Sequence, residues 1–389
     1  MAAPDNLRQR SGRLLSWHWA TPEAQAVLAT RDVGAILRYY RRVYAESQSA
    51  TGERLGYDKT YVSALELGKR RLADVGSLRH IAEQLSLPPH VLGVTDLADT
   101  DHRAMCQFGH STIRLAEIAR QTGHAAEAVA ELWPLVARLE ARARDGYIER
   151  EVLRLLAEAR LGLGTALGNV LPEERLATAA HWTAKSLEVT KAFDDPTLTA
   201  TALRMHGNEL RKLGLAGAAV QRLAQAASVA PNIADRAAVL PLLARAAGVL
   251  GNQALFDRAV REVHQLMDTV DHTSLVNPVA LHEIHLRGLI STGRAREAIR
   301  LAEGPVPSPT ITVAPQWRVI ELITTGRVRL LAGDRHGATQ LLETAVQQAR
   351  AQRLPHQLQR VLRAGGEALP QVTSAASLAL EELRTEMAA

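Results

Sequence analysis

One cysteine, Cys106, is the entire thiol content of this 389-residue chain. A lone thiol closes no internal disulfide and builds no Cys-based zinc cluster, so a disulfide-stapled scaffold is excluded and a reducing cytoplasm fits. Aromatic residues are also scarce, 4% of the chain against 47% for the apolar types together, so the core has to be built from Ala, Leu and Val at helical density. Alternating β-branched runs are few, and an almost entirely helical protein is expected. No stretch approaches the ~18 continuous apolar residues of a membrane span, and the amino terminus shows no signal-peptide apolar core, so a soluble, unexported protein with no membrane partner is expected. At this length two or more modules are expected.

Charge is informative locally rather than globally. The formal net charge is +5, of which residues 1 to 100 supply 13 basic and 11 acidic groups, or +2. Within that region, however, Arg38, Arg41, Arg42, Arg54, Lys59, Lys69, Arg70 and Arg71 face only Glu46, Glu53, Asp58 and Glu66 between Arg38 and Arg71. A solvated helix face is the alternative reading of such a run, and for Arg41-Arg42 taken alone it is the preferred one.

The same region carries the densest pattern in the chain. Ser47-Gln48, Glu53-Arg54-Leu55-Gly56 and the run Tyr57 to Arg71 read as two short helices joined by a tight turn. Gly56 tolerates φ > 0 where the first helix ends, Asp58 caps the second by accepting from the N–H of Thr60 or Tyr61, and Gly68 closes it. Val62 and Leu65 then point inward with Leu55, leaving Lys59, Thr60, Ser63 and, at the margin, Tyr61 to face a DNA major groove. An amphipathic helix carrying Leu78, Ile81, Ala82 and Leu85 follows. A Gly-punctuated corner of an all-helical core is the alternative.

These residues resemble the lambda-repressor-like, Xre-type helix-turn-helix family over roughly Val33 to Val94. The resemblance implies that Gln48 contacts a phosphate and braces the recognition helix, that Lys59, Thr60 and Ser63 face bases, and that Lys69, Arg70 and Arg71 meet backbone phosphates. The implied DNA-binding set is thus Gln48, Asp58, Lys59, Thr60, Tyr61, Ser63, Lys69, Arg70 and Arg71. Two positions depart from the family pattern: Thr51 stands where leucine is usual, and Gly52 where alanine is, a swap costing about 1 kcal/mol in a helix interior.

Residues 1–30 form an arm bearing Arg8, Arg10, Arg13 and Trp17-His18-Trp19, the tryptophans suggesting a docking patch on the protein's own body or a sister subunit. Thr21-Pro22-Glu23 reads as a helix start. The DNA-binding domain is placed at 31–95, and the acidic stretch 96–102 reads as a linker.

From 103 to 389 the chain repeats. Gly123, Gly214, Gly293 and Gly333 are each followed five residues later by alanine, at Ala128, Ala219, Ala298 and Ala338. The series Gly207, Gly214, Ala219, Ala226, Pro231 and the series Gly326, Gly333, Ala338, Ala345 resemble the tetratricopeptide pattern. Turns are expected near Gly123, Gly168, Gly214, Gly251, Gly293 and Gly333, at spacings of 45, 46, 37, 42 and 40 residues, longer than the ideal ~34. The fold expected is therefore all-α: an N-terminal helix-turn-helix domain, then about seven helix pairs in a right-handed superhelix whose concave face is lined by the first helix of each pair.

The position after the first small residue of each repeat should point into that groove. It is filled by Glu117, Asn208, Arg245, Arg287 and Arg327, with Arg204 and Arg211 a turn either side of Asn208. A basic stripe made of Arg204, Asn208, Arg211, Arg245, Arg287 and Arg327 would bind an effector. The alternative is that these arginines pair with residues such as Glu283.

Other chemistry is thin. His282-Glu283-Ile284-His285 lacks a third metal ligand within reach, and Gly162-Leu163-Gly164 lacks the strand a dinucleotide loop requires and marks close helix packing instead. His110 and Ser111 belong to no nucleophile–base arrangement, so no enzyme and no cofactor are expected. The layout resembles bacterial peptide-sensing regulators of the quorum-sensing receptor type. With 41 arginines against five lysines and abundant alanine, a GC-rich, actinobacterial source is implied. The resemblance implies a ligand-controlled transcription factor acting as a homodimer on double-stranded DNA, its effector a short peptide. A small anionic metabolite as effector, or an interaction scaffold with a weakened DNA-binding head, stands as the alternative.

Overall fold

The computed structural model describes residues 19, 22–87, 89–94, 97–144, 148–307 and 314–388. Among them the chain is all-α, with nineteen α-helices and no strand, and no helix is long and apolar enough to cross a membrane. It divides into two compact units. The first comprises Met1–Thr112, Pro134–Glu158 and Glu188–Asp194, and the second Ile113–Trp133, Ala159–Leu187 and Asp195–Ala389.

The first unit opens with α1 (Pro22–Ala29), α2 (Val33–Tyr44), α3 (Gln48–Leu55), α4 (Lys59–Glu66) and α5 (Val75–Gln84). Each of α2 to α5 starts where an oxygen-bearing side chain can take a free backbone N–H. Asp32 accepts from Gly34, Ser47 from Ala50, Asp58 from Tyr61 and Asp74 from Ser77. Of the inward set expected from the spacing, Leu55, Val62, Leu65, Ile81, Ala82 and Leu85 are buried and Leu78 is half-buried; Ile36 and Leu37 are buried as well. Trp19 is buried here too: its indole N–H donates to the Leu85 carbonyl at 3.0 Å and its ring lies against Tyr39 and Tyr40. That tryptophan docks on the unit's own core. Arg8, Arg10, Arg13, Trp17, His18 and Thr21 lie outside the described residues.

The stretch expected to be a linker, 96–102, is corrected: the chain is helical from Leu97, where α6 (Leu97–Gln121) begins. Then follow α7 (Ala125–Arg144), α8 (Arg150–Val170), α9 (Leu176–Thr190), α10 (Pro196–Lys212), α11 (Ala216–Val229), α12 (Ile233–Leu250), α13 (Gln253–Leu266), α14 (Pro278–Ser291), α15 (Ala295–Glu303), α16 (Pro315–Leu331), α17 (Arg335–Ala351), α18 (Pro355–Gly365) and α19 (Pro370–Ala388). Among the described residues α10 packs on α11, α12 on α13, α14 on α15, α16 on α17 and α18 on α19, five consecutive helix pairs.

Five of the expected turn glycines, Gly123, Gly214, Gly251, Gly293 and Gly333, sit at φ of +94°, +86°, +76°, +78° and +86°. The sixth, Gly168, is no turn: it lies inside α8, where an added Cβ would collide with the Glu209 carboxylate, and the chain turns after Val170. Ala128, Ala219, Ala298 and Ala338 are fully buried, as a close approach of paired helices requires. The Gly251 repeat puts Phe256 in that place; Gly288 makes the room, since a Cβ there would stand 1.9 Å from the ring. Gly164 likewise meets Thr183 and Ala179 closely, the helix packing its spacing suggested.

In the second unit α10 packs on α12, α12 on α14, α14 on α16 and α16 on α18. First helices of successive pairs thus form one wall, backed by the second helices α11, α13, α15, α17 and α19.

Candidate functional site

In the first unit, the face of α4 that turns away from the core carries Lys59 and Thr60, both exposed, and the half-buried Tyr61 and Ser63. Asp58 is committed to the cap, its Oδ1 accepting from the Tyr61 N–H at 2.7 Å. The Tyr61 ring is held between Tyr57, with centroids 4.7 Å apart, and the Arg70 guanidinium 4.4 Å above it. Arg70 therefore steadies the end of α4 as well as carrying charge. Gln48 braces α4, as the resemblance implied, by donating to Glu66 Oε2 at 2.7 Å. Glu66 is buried and also receives Arg41, at 2.7 and 2.8 Å.

The charge run divides cleanly. Arg41 pairs with Glu66, Arg54 with Glu46, Arg42 with Glu23 and Arg38, loosely, with Asp32. Among the described residues Lys59, Lys69, Arg70 and Arg71 have no carboxylate within 4.0 Å, and all four are exposed. Arg41 is corrected from a solvated residue to a structural one. The two departures from the family pattern are accommodated. Buried Thr51 donates to Glu46 at 3.1 Å, and a Cβ on Gly52 would come 2.5 Å from the Tyr57 carbonyl oxygen, so alanine does not fit there.

The second unit gathers part of the expected stripe into a cluster. Arg211 comes from α10, Arg245 from α12, Arg287 from α14 and, unforeseen, Arg360 from α18. Loss of hydration is the largest influence on three of them, followed by mutual repulsion: Arg211 is drawn down to about 10, Arg360 to about 9, and Arg245 well below its ordinary value. Arginine does not give up its proton in a protein, so this pressure is a demand for negative charge. Arg287 meets that demand internally, donating to Glu283 at 2.6 Å, and Glu283 also accepts from Thr324 at 2.7 Å. Arg287 thus follows the alternative reading, an ion pair. Arg211, Arg245 and Arg360 have no carboxylate within 4.0 Å among the described residues.

Three expected groove residues are corrected. Asn208 is buried and spent: its Oδ1 accepts from Arg211 at 3.0 and 3.3 Å and its amide donates to Glu209 at 3.2 Å, leaving no free pair of groups for a peptide backbone. Arg204 answers to burial and then to Asp235, Glu117 and Arg120, apart from the cluster. Arg327 is exposed and feels Arg363 rather than the other four. Arg360 was legible: the left-handed Gly366 is a seventh turn, and counting back from it by the step that separates Gly251 from Arg245 gives Arg360.

Among the described residues no group of three or more His, Cys, Asp or Glu is placed to hold a metal ion. Burial first, then Glu151 and Glu149, push the Cys106 thiol up to about 12, so it stays protonated and unreactive.

No protein-family model matches the chain, and no curated protein matches it in sequence. Among solved structures it is similar to Bacillus thuringiensis PlcR in complex with the peptide PapR7 and DNA, with 10% identity, 92% of this chain and 97% of that chain covered, and a TM-score of 0.28. It is also similar to a circular tandem repeat protein with novel repeat topology and enhanced subunit contact surfaces, with 15% identity, 98% and 86% covered, and a TM-score of 0.20.

Proposed function

We propose that the protein is a ligand-responsive, DNA-binding transcriptional regulator, with α3 and α4 as the helix-turn-helix of its head and the wall of first helices as its sensor. One observation carries the reading: α4 buries Val62 and Leu65 while its outer face and the segment after it present Lys59, Lys69, Arg70 and Arg71 with no carboxylate partner. Exposed cations left unpaired beside a short capped helix suit phosphates, and Lys59 and Thr60 at the helix start suit base edges. A head this small reads only a few base pairs, so useful specificity calls for a homodimer on two half-sites. A ligand acts on such a molecule only by binding one arrangement more tightly than the other. The engagement of Asn208 by Arg211 and Glu209 favours a small anion over an extended peptide as effector.

Sequencing the fragments that the full chain retains from a genomic DNA pool, with and without culture extract, tests this. The expected outcome is enrichment of an imperfect palindrome with half-sites about one helical turn, or a multiple of it, apart, and a change in retention on adding extract. Recovery of random fragments, indifferent to extract, overturns it.

A further inference from the structure

We propose that the wall of first helices holds a site for one compact phosphate-bearing anion, gripped jointly by Arg211, Arg245 and Arg360. As an effector class it rests on the sensing role proposed above.

The four guanidiniums do not run as a stripe. Arg245 feels Arg211, Arg287 and Arg360, Arg360 feels Arg287 and Arg211, and all three free arginines feel Glu283, so they gather about one place rather than follow a groove. Formal charge at that place is four arginines less Glu283, or +3, because Lys212 and Glu209 cancel as a pair at 2.9 Å. The single carboxylate at the end of a peptide would offset one of those charges. A phosphate monoester brings nearly two, and a diphosphate more.

What holds the free cations is also telling. Arg211 is steadied by the Asn208 oxygen and Arg360 by the Gln357 oxygen at 2.7 Å, both neutral acceptors. Arg245 lies 5.3 Å over the Trp317 ring, and its buried Nε has no partner. Neutral oxygens and a ring face orient a guanidinium without discharging it, and the three half-buried side chains keep a charge that an arriving anion offsets. Guanidinium forks match phosphate oxygens in spacing and plane.

Calorimetric titration of the full chain at fixed ionic strength with sodium pyrophosphate, citrate and an N-acetylated tetrapeptide carrying one carboxylate tests the proposal. Pyrophosphate should bind with one-to-one stoichiometry, at least ~10-fold tighter than citrate or the peptide. Arg245→Gln and Arg360→Gln should each weaken it by at least ~10-fold, the worth of one charge-assisted contact. Both variants, without ligand, should melt at or above the temperature of the parent, since each removes a like charge from the cluster. Absence of pyrophosphate binding, equal affinity for citrate, unchanged affinity in the variants, or early melting that marks the arginines as scaffold would each overturn the proposal. Pyrophosphate binding with no effect on DNA retention supports the site and removes only ligand control from the proposed function.

Discussion

The two units handle positive charge in opposite ways. In the first, the inner arginine Arg41 is matched to the buried carboxylate of Glu66, and the unmatched cations Lys59, Lys69, Arg70 and Arg71 stand in water. In the second, the unmatched cations Arg211, Arg245 and Arg360 are the enclosed ones, while Arg327, Arg329 and Arg363 are exposed. Water and salt screen a surface cation almost without cost, so the first arrangement is ready for a large polyanion that meets it from outside. An enclosed cation is screened little, so the second arrangement stores repulsion that a small anion relieves from within.

The sharpest way to break this contrast is to remove one acid from each unit. Glu283→Gln should destabilise the second unit by about 3–5 kcal/mol, because it strands Arg287 in a cluster that is already positive. Glu66→Gln should cost less, roughly 2 kcal/mol, because Arg41 reaches water in part and can be rehydrated. Urea denaturation of the full chain, followed by Trp317 fluorescence for one unit and Trp19 for the other, measures both. Equal losses would mean that the two environments do not differ in effective dielectric.

Next in size is the surface set. Lys59→Ala should cost about 1–3 kcal/mol on the selected DNA and much less on random DNA, as expected of a base contact. Arg71→Ala should weaken both alike and lower the salt slope by about one. Gel-shift titrations over a range of salt separate the two, and equal losses on both DNAs for Lys59 would reassign it to a phosphate.

A smaller effect tests local packing. Alanine at Gly52 gains about 1 kcal/mol in helix propensity, yet its Cβ would press on the Tyr57 carbonyl, and overpacking costs about 1–3 kcal/mol. Gly52→Ala should therefore come out mildly destabilising, visible as a lowered thermal midpoint; a raised one would show that the turn relaxes freely.

Least abrupt is the response to acid. His356 in the second unit is held well below the ordinary histidine range, by burial first and then by Arg360, Lys212, Arg211 and Arg363. Its folded pKa lies under its unfolded one, so as pH falls below about 6.5 the unfolded chain takes up the proton first and stability declines; above that value the contribution is complete. Melting curves across mildly acidic pH should show the decline, and His356→Gln should flatten it.

Much of the fold was legible because it depends on neighbours in sequence. Caps such as Asp58, turn glycines such as Gly214 and buried alanines such as Ala219 act within a turn or two of chain, and their consequences stand in the pattern of letters. Gly168 shows the limit: glycine marks a turn or a close contact equally well, and only the arrival of Glu209 from α10 distinguishes them. At the candidate sites the sequence named Lys59, Thr60, Arg211, Arg245 and Arg287. It could not tell that Asn208 would be spent on its own helix or that Arg204 and Arg327 would fall outside the cluster.

The sequence by itself determined the helices, their pairing and the outward face of α4, since each follows from backbone caps and from a period of 3.6 residues. Tertiary structure alone decided which charges meet. Arg360 joins Arg211 only because three first helices, α12, α14 and α16, separate and connect theirs, and the partnering of Glu66 and Glu283 depends on which cation each carboxylate finds across space. Electrostatic energy depends on distance and on the surrounding dielectric, neither of which is written along the chain.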